Sequence, residues 1–76
     1  MKTLTEKDIP RLKKLIGRAV VVKWKDPDSD WHHFRLENVV GESVCFTGMM
    51  DETEHHHVGD FFRTALQEIV SIKERI

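Results

Sequence analysis

The sequence predicts a small, mainly β domain of about five antiparallel strands, preceded by a short helix. Two observations support this prediction. Short segments rich in valine, isoleucine, phenylalanine and tryptophan alternate with polar residues, and turns containing glycine, proline or aspartate separate them. The chain has 76 residues, which is the length of one small domain. We therefore expect a single domain over residues 1–76.

The predicted helix lies in the segment TEKDIPRLKKLIG near the N-terminus. Asp8 is positioned to cap it, and Pro10 falls in the first turn, where its missing N–H costs little. Gly17 can end the helix. Leu12 and Ile16 lie on one side of it, as expected for a helix packed against a core.

Three strands are expected in the middle of the chain. The segment RAVVVKWK is the clearest, because adjacent valines favour extended backbone. On this strand Val20, Val22 and Trp24 share one face. The segment WHHFRLENVV is predicted as the second strand, with Phe34 and Leu36 on its inner face. After a tight GE turn, SVCFTG forms the third strand.

The last third of the chain is compatible with two structures. The segment HHHVGDFFRT is predicted as a fourth strand with Gly59 at a bulge. The following segment can be a single turn, ALQE, and a fifth strand, IVSIKE. Alternatively, Thr64 and Gln67 form a capping box that starts a C-terminal helix, which gives an α+β fold with a four-stranded sheet. We predict the turn and strand.

This order of elements resembles the small SH3-like barrels, among them the Sm-like and Tudor-like proteins. The segment RTALQEIVSI is similar to the fourth strand, single turn and fifth strand that end such barrels. The glycine and asparagine motifs by which Sm-like proteins bind uridine-rich RNA are not evident. The resemblance implies binding to proteins or nucleic acids rather than catalysis.

The charge is unevenly distributed along the chain. Residues 1–25 carry eight basic and two acidic residues (+6), residues 26–60 one basic and nine acidic (−8), and residues 61–76 three basic and two acidic (+1), for a net charge of −1. Either two faces attract one another across the fold, or one end contacts an acidic partner. No apolar run has the roughly 20 residues that span a bilayer. The N-terminus resembles no signal peptide, and the single cysteine indicates a reducing compartment such as the cytoplasm.

The leading functional hypothesis is a non-enzymatic, accessory or regulatory module that binds a protein partner. Two adjacent phenylalanines on one strand cannot both face inward, so Phe61 or Phe62 should be exposed. Exposed edge strands also make self-association into a homo-oligomer plausible. The expected partner-binding anchors are large apolar residues outside the predicted core: Trp31, Phe61, Phe62, Met49 and Met50.

The segment WKDPDSDW places two tryptophans around an acidic loop. Aromatic rings beside carboxylates can hold a methylated lysine or a basic peptide. The alternative places Trp24 in the core and Trp31 over the end of the barrel. The lack of tyrosine, and of an evident third ring for a cage, favours this alternative.

Two further hypotheses concern nucleic acid and metal. A basic set could contact phosphates: Arg11, Lys14, Arg18, Lys23 and Lys25. His33, His55 and His57 could bind zinc or another divalent ion if their strands met, although no motif with metal-ligand spacing is present.

We expect this protein to have no catalytic activity and no cofactor. Cys45 lies in an apolar strand, where thiols are usually inert, and no phosphate-binding loop or nucleophile elbow is found. An unperturbed histidine side chain titrates near pH 6.5, so the five histidines are expected to make the net charge depend on pH.

Overall fold

The computed structural model describes residues 2–49 and 58–75. Its elements in chain order are the 3-10 turn Glu6–Asp8, α1 (Ile9–Lys13), β1 (Ala19–Trp24), β2 (His33–Val40), β3 (Ser43–Gly48), β4 (Phe61–Ala65), the 3-10 turn Leu66–Glu68 and β5 (Ile69–Glu74). All strand pairs are antiparallel, and the strands form one sheet in the order β4-β3-β2-β1-β5. The predicted mainly β fold with a short N-terminal helix is confirmed.

The C-terminal segment is a strand, so the alternative with a C-terminal helix is wrong. Ile69 and Ile72 are both fully buried although they are three residues apart, which is a helical spacing. The strand allows this because the register of β1 and β5 shifts between Lys23 and Trp24. Val70 is the extra residue, since Ile69 is opposite Trp24 and Ser71 is opposite Lys23.

The sheet must curl, because its two edge strands are consecutive in the chain. Only the turn Leu66–Glu68 separates β4 from β5, yet they lie at opposite edges of the sheet. Both ends of the turn are held by backbone hydrogen bonds. Leu66 N–H donates to Glu42 O beside β3, and Lys25 N–H donates to Glu68 O beside β1, each at 2.9 Å.

The inner face of the curled sheet forms the core. Alternating residues of β1 and β2 point into it, as the period of two predicts. Helix α1 closes one end through Leu12, and the turn between β4 and β5 contributes Leu66. The fully buried side chains are Leu12, Val20, Val22, Phe34, Leu36, Val44, Phe46, Ile69 and Ile72.

The N-terminal helix differs in detail from the prediction. Thr5, not Asp8, caps the first turn: the Thr5 side chain accepts from Lys7 N–H at 3.4 Å, and the carboxylate of Asp8 accepts from Thr5 N–H at 2.9 Å. Helix α1 ends at Lys13, so Ile16 lies beyond it and is exposed.

The region before β4 also differs from the prediction. Gly59 lies in a turn before the strand, with φ of 85°, rather than at a bulge within it. Its N–H donates to Gly48 O at 2.9 Å, and this hydrogen bond joins the turn to the end of β3. The predicted start of this strand at residues 55–57 lies outside the described residues. None of the helices among residues 2–49 and 58–75 has the length and apolar character needed to cross a membrane.

Two phenylalanines offer a matched test of this core. Phe34 is 0% exposed and Phe61 is 66% exposed. We expect Phe34→Ala to lower the free energy of unfolding by about 3–5 kcal/mol, because it removes a buried ring and leaves a cavity. Phe61→Ala should change it by less than about 1 kcal/mol. Urea denaturation followed by circular dichroism measures both, and equal losses would contradict the assignment of the core.

Candidate functional site

A small aromatic hollow lies where β1 ends and β4 begins. It has a volume of about 220 Å3 and is lined by Trp24, Ser29, Asp30, Trp31 and Phe62. Two larger hollows, of about 620 and 360 Å3, lie along the N-terminal segment and contain none of these rings. We take the aromatic hollow as the candidate site because it joins large apolar faces to a carboxylate.

Three separate parts of the chain supply its rings. Trp24 is the last residue of β1, Trp31 lies in the loop before β2, and Phe62 is on β4. All three are half-buried. The ring centroids of Trp31 and Phe62 are 5.2 Å apart, and those of Trp24 and Phe62 are 6.3 Å apart. These separations are in the range of favourable aromatic pairs.

The rings are held from below and from the side. Phe34 packs beneath them, with its centroid 4.5 Å from that of Trp31 and 5.9 Å from that of Trp24. The indole Nε1–H of Trp24 donates to Trp31 O at 2.7 Å, which joins the end of β1 to the loop. The ring faces are therefore positioned before any ligand arrives.

The loop from residue 25 to residue 32 is folded on itself and presents carboxylates to solvent. Asp26 Oδ1 accepts from Asp28 N–H at 2.9 Å, and Asp26 O accepts from Ser29 N–H at 3.2 Å. Asp26, Asp28 and Asp30 are exposed, and Asp30 lines the hollow. Aromatic faces beside carboxylates can hold the cationic end of a lysine or arginine side chain.

The predicted partner-binding residues are divided between two faces. Trp31 and Phe62 meet at the aromatic hollow, whereas Phe61 points to the opposite, solvent-facing side of β4. Phe61 and Phe62 face opposite sides because side chains alternate along a strand. The prediction that one of the two phenylalanines is exposed was based on the same alternation. Met49 is half-buried after β3, and Met50 lies outside the described residues.

The residues of the predicted nucleic-acid set lie on or next to α1 and β1. The guanidinium of Arg11 donates to Ile72 O at 2.9 Å, and Arg18 pairs with Glu74 at 2.7 Å, so both contact β5. Lys14 is exposed after α1. Lys23 and Lys25 are exposed at the far end of β1.

The predicted metal set is only partly described. His33 is half-buried at the start of β2, while His55 and His57 lie outside the described residues. Within residues 2–49 and 58–75, no three histidine, cysteine, aspartate or glutamate side chains are arranged to hold a metal ion. The neighbouring His32 donates from Nδ1 to Val22 O at 2.9 Å.

Sequence reasoning missed the third ring. Phe62 joins the two tryptophans because β4 pairs with β3 in a register that puts Phe62 opposite Phe46. The adjacent phenylalanines were a usable signal, since alternation places one of them inside, but they do not say which neighbours it meets.

Comparison with protein families, curated proteins and solved structures gave no significant match to this chain.

On the outer face of the sheet, Glu37 occupies an irregular position in β2. The register of β2 and β3 shifts between Leu36 and Asn38, so Glu37 is the extra residue. Its Oε2 accepts from the hydroxyl of Thr47 at 2.7 Å and from Nε of Arg35 at 2.8 Å. These hydrogen bonds, with that from Thr47 the larger cause, lower the pKa of Glu37 below its ordinary value of 4.5.

Removing the hydroxyl should reverse much of this pKa shift. We expect Thr47→Val to raise the pKa of Glu37 toward 4.5. The stabilisation that the lowered pKa represents is present above the ordinary value and lost as pH falls through the folded-state pKa. The stability difference between wild type and Thr47→Val should therefore shrink in acid.

Carboxyl-detected NMR titration measures the pKa of Glu37 directly. Thr64→Val is the matched control, because Thr64 lies on β4 and makes no bond to Glu37. A wild-type Glu37 that titrates at its ordinary value would contradict the hydrogen-bonded geometry.

Proposed function

We propose that this protein is a binding module of SH3-like architecture that takes a cationic side chain of a basic protein segment into its aromatic hollow. The observation that carries the proposal is the meeting of three half-buried rings, Trp24, Trp31 and Phe62, beside the exposed carboxylate of Asp30. We propose binding rather than catalysis because the polar part of the lining is limited to Ser29 and Asp30.

The strand order supports the SH3-like architecture. The strands follow the order β4-β3-β2-β1-β5, and a single 3-10 turn joins the two edge strands, which are consecutive in the chain. This agrees with the fourth strand, single turn and fifth strand that end the SH3-like barrels. The buried thiol of Cys45 agrees with a reducing compartment such as the cytoplasm.

The energetic basis is the attraction of a cation to aromatic faces. Such contacts contribute about 0.5–1 kcal/mol at exposed sites and roughly 2 kcal/mol when desolvated. Because the hollow is half-buried, we expect a cation bound there to contribute an energy between these two values. The carboxylates of Asp26, Asp28 and Asp30 add a field that attracts a basic segment and orients it before contact. Affinity is thus expected to depend on both the rings and the acidic loop.

The proposal is tested with a short lysine-rich peptide and its fully acetylated counterpart. Binding is followed by the fluorescence of the two tryptophans, which line the hollow. We expect the lysine peptide to bind and to weaken as salt rises, and the acetylated peptide to bind at least about tenfold more weakly, because acetylation removes the charge.

Three variants distinguish peptide binding at the hollow from binding elsewhere on the surface. Trp31→Ala and Asp30→Lys should each reduce affinity for the lysine peptide at least about fivefold, a loss of roughly 1 kcal/mol. Asp30 is exposed, so Asp30→Lys tests the site without disturbing the core. Phe61→Ala is the matched aromatic control on the opposite face and should leave the affinity unchanged. No binding at low salt, or an equal loss in Phe61→Ala, would refute the proposal.

A further inference from the structure

The outer face of the sheet collects basic residues that are far apart in the sequence. Side chains alternate along each strand, so the neighbours of buried residues point outward. On β1, on β2, and on β5 with the residue that follows it, these outward positions carry four cations, which we call the basic face: Lys23, Arg35, Lys73 and Arg75.

The strand register places these cations side by side. Arg35 is opposite Ala19 on β1, and Arg75 N–H donates to Ala19 O at 2.8 Å, so Ala19 lies between the two arginines. Adjacent strands are about 4.8 Å apart, which puts the backbones of Arg35 and Arg75 roughly 10 Å from each other. Lys73 is opposite Val21, and Lys23 is opposite Ser71.

Uncharged side chains, the imidazole of His33 and one acid lie on the same surface. Ala19, Val21 and Ser71 lie between the cations and leave a shallow floor that an extended ligand can approach. On the described strands β5, β1 and β2, Glu37 is the acidic residue at an outward position, and it pairs with Arg35 at 2.8 Å. Counting it, the face has four positive charges and one negative charge, or +3. Glu74 is opposite the buried Val20 and pairs with Arg18, away from these positions.

An exposed aromatic ring continues the same row. Arg35 is opposite Thr47, and Thr47 is opposite Phe61, so Phe61 lies two strands from Arg35 on the outer side of the sheet. Its ring is 66% exposed. The row from Arg75 through Arg35 to Phe61 crosses four gaps between strands, or roughly 19 Å along the curved surface.

We propose that the basic face, with Phe61, binds single-stranded nucleic acid laid across the strands. Cations along a track neutralise phosphates, and an exposed ring stacks on a base, which is the combination that single-strand binders use. The ring favours a nucleic acid over an acidic peptide, and it favours a single strand because bases in a duplex are already stacked. This site lies on the opposite side of β4 from the aromatic hollow, so it is independent of the proposed peptide binding.

Fluorescence anisotropy with a labelled oligothymidine of about 12 nucleotides tests the proposal. Binding at low salt should weaken as salt rises, with a slope of log K against log salt of about −2 to −3 for three or four phosphate contacts. The double variant Lys73→Glu/Arg75→Glu should lower the affinity at least tenfold. Both residues are exposed, so the fold should be retained.

The matched control changes charge by the same amount elsewhere. Lys7→Glu/Lys13→Glu alters two exposed lysines in the first 3-10 turn and in α1, outside the sheet, and should lower the affinity less than twofold. Each double variant takes the net charge from −1 to −5. Equal losses in the two variants, or no binding of the oligonucleotide by wild type at low salt, would overturn the proposal.

Two single variants test the chemistry of the ligand. Phe61→Ala should reduce oligonucleotide affinity about fivefold or more, because stacking of one base on an aromatic ring contributes appreciably. Glu37→Gln should increase it, since Arg35 loses its partner charge. A poly-glutamate peptide that binds as tightly as the oligonucleotide, combined with no effect of Phe61→Ala, would show that the face recognises negative charge alone and would refute the nucleic-acid assignment.

Discussion

The short connection between β4 and β5 is the constraint on which the rest of the structure depends. These strands are opposite edges of the sheet, yet only the turn Leu66–Glu68 joins them. A flat sheet of five strands would hold its edges about 19 Å apart, so the sheet must curl until one turn can connect them. Curling gives the apolar faces of all five strands a common interior, which Leu66 and Leu12 help to fill.

The same curling brings together the residues that line the aromatic hollow. Trp24 ends β1, while Phe62 belongs to an edge strand two strands beyond β2. In a flat sheet their rings would lie well apart, but the centroids are 6.3 Å from each other. The hollow is therefore a product of the sheet's curvature and of the hydrogen bond that ties Trp31 O to the indole of Trp24.

Alternation of side chains separates the two proposed binding functions. Phe62 faces the aromatic hollow, and Phe61 faces the outer side beside the row that contains Arg35. Two adjacent residues of one strand thus belong to surfaces of opposite character. One surface is bordered by the carboxylates of the loop from residue 25 to residue 32, and the other carries an excess of lysine and arginine. The two proposed sites therefore differ in charge, and the basic face takes only Lys23 from the basic segment 1–25, its other cations coming from the rest of the chain.

The sequence by itself determined the first three strands and the alternation of their faces, because the alternation of apolar and polar residues is a local property of the chain. It predicted that Val20 and Val22 would share one face of β1, that Phe34 and Leu36 would be inside, and that one of the two adjacent phenylalanines would be outside. Only the tertiary structure decided that Phe62 completes the ring cluster and that Lys73 and Arg75 join Arg35. Those neighbours depend on the register between strands, and irregularities at Glu37 and Val70 shift that register. No local pattern specifies such a shift, since it results from packing the curled sheet around one shared core.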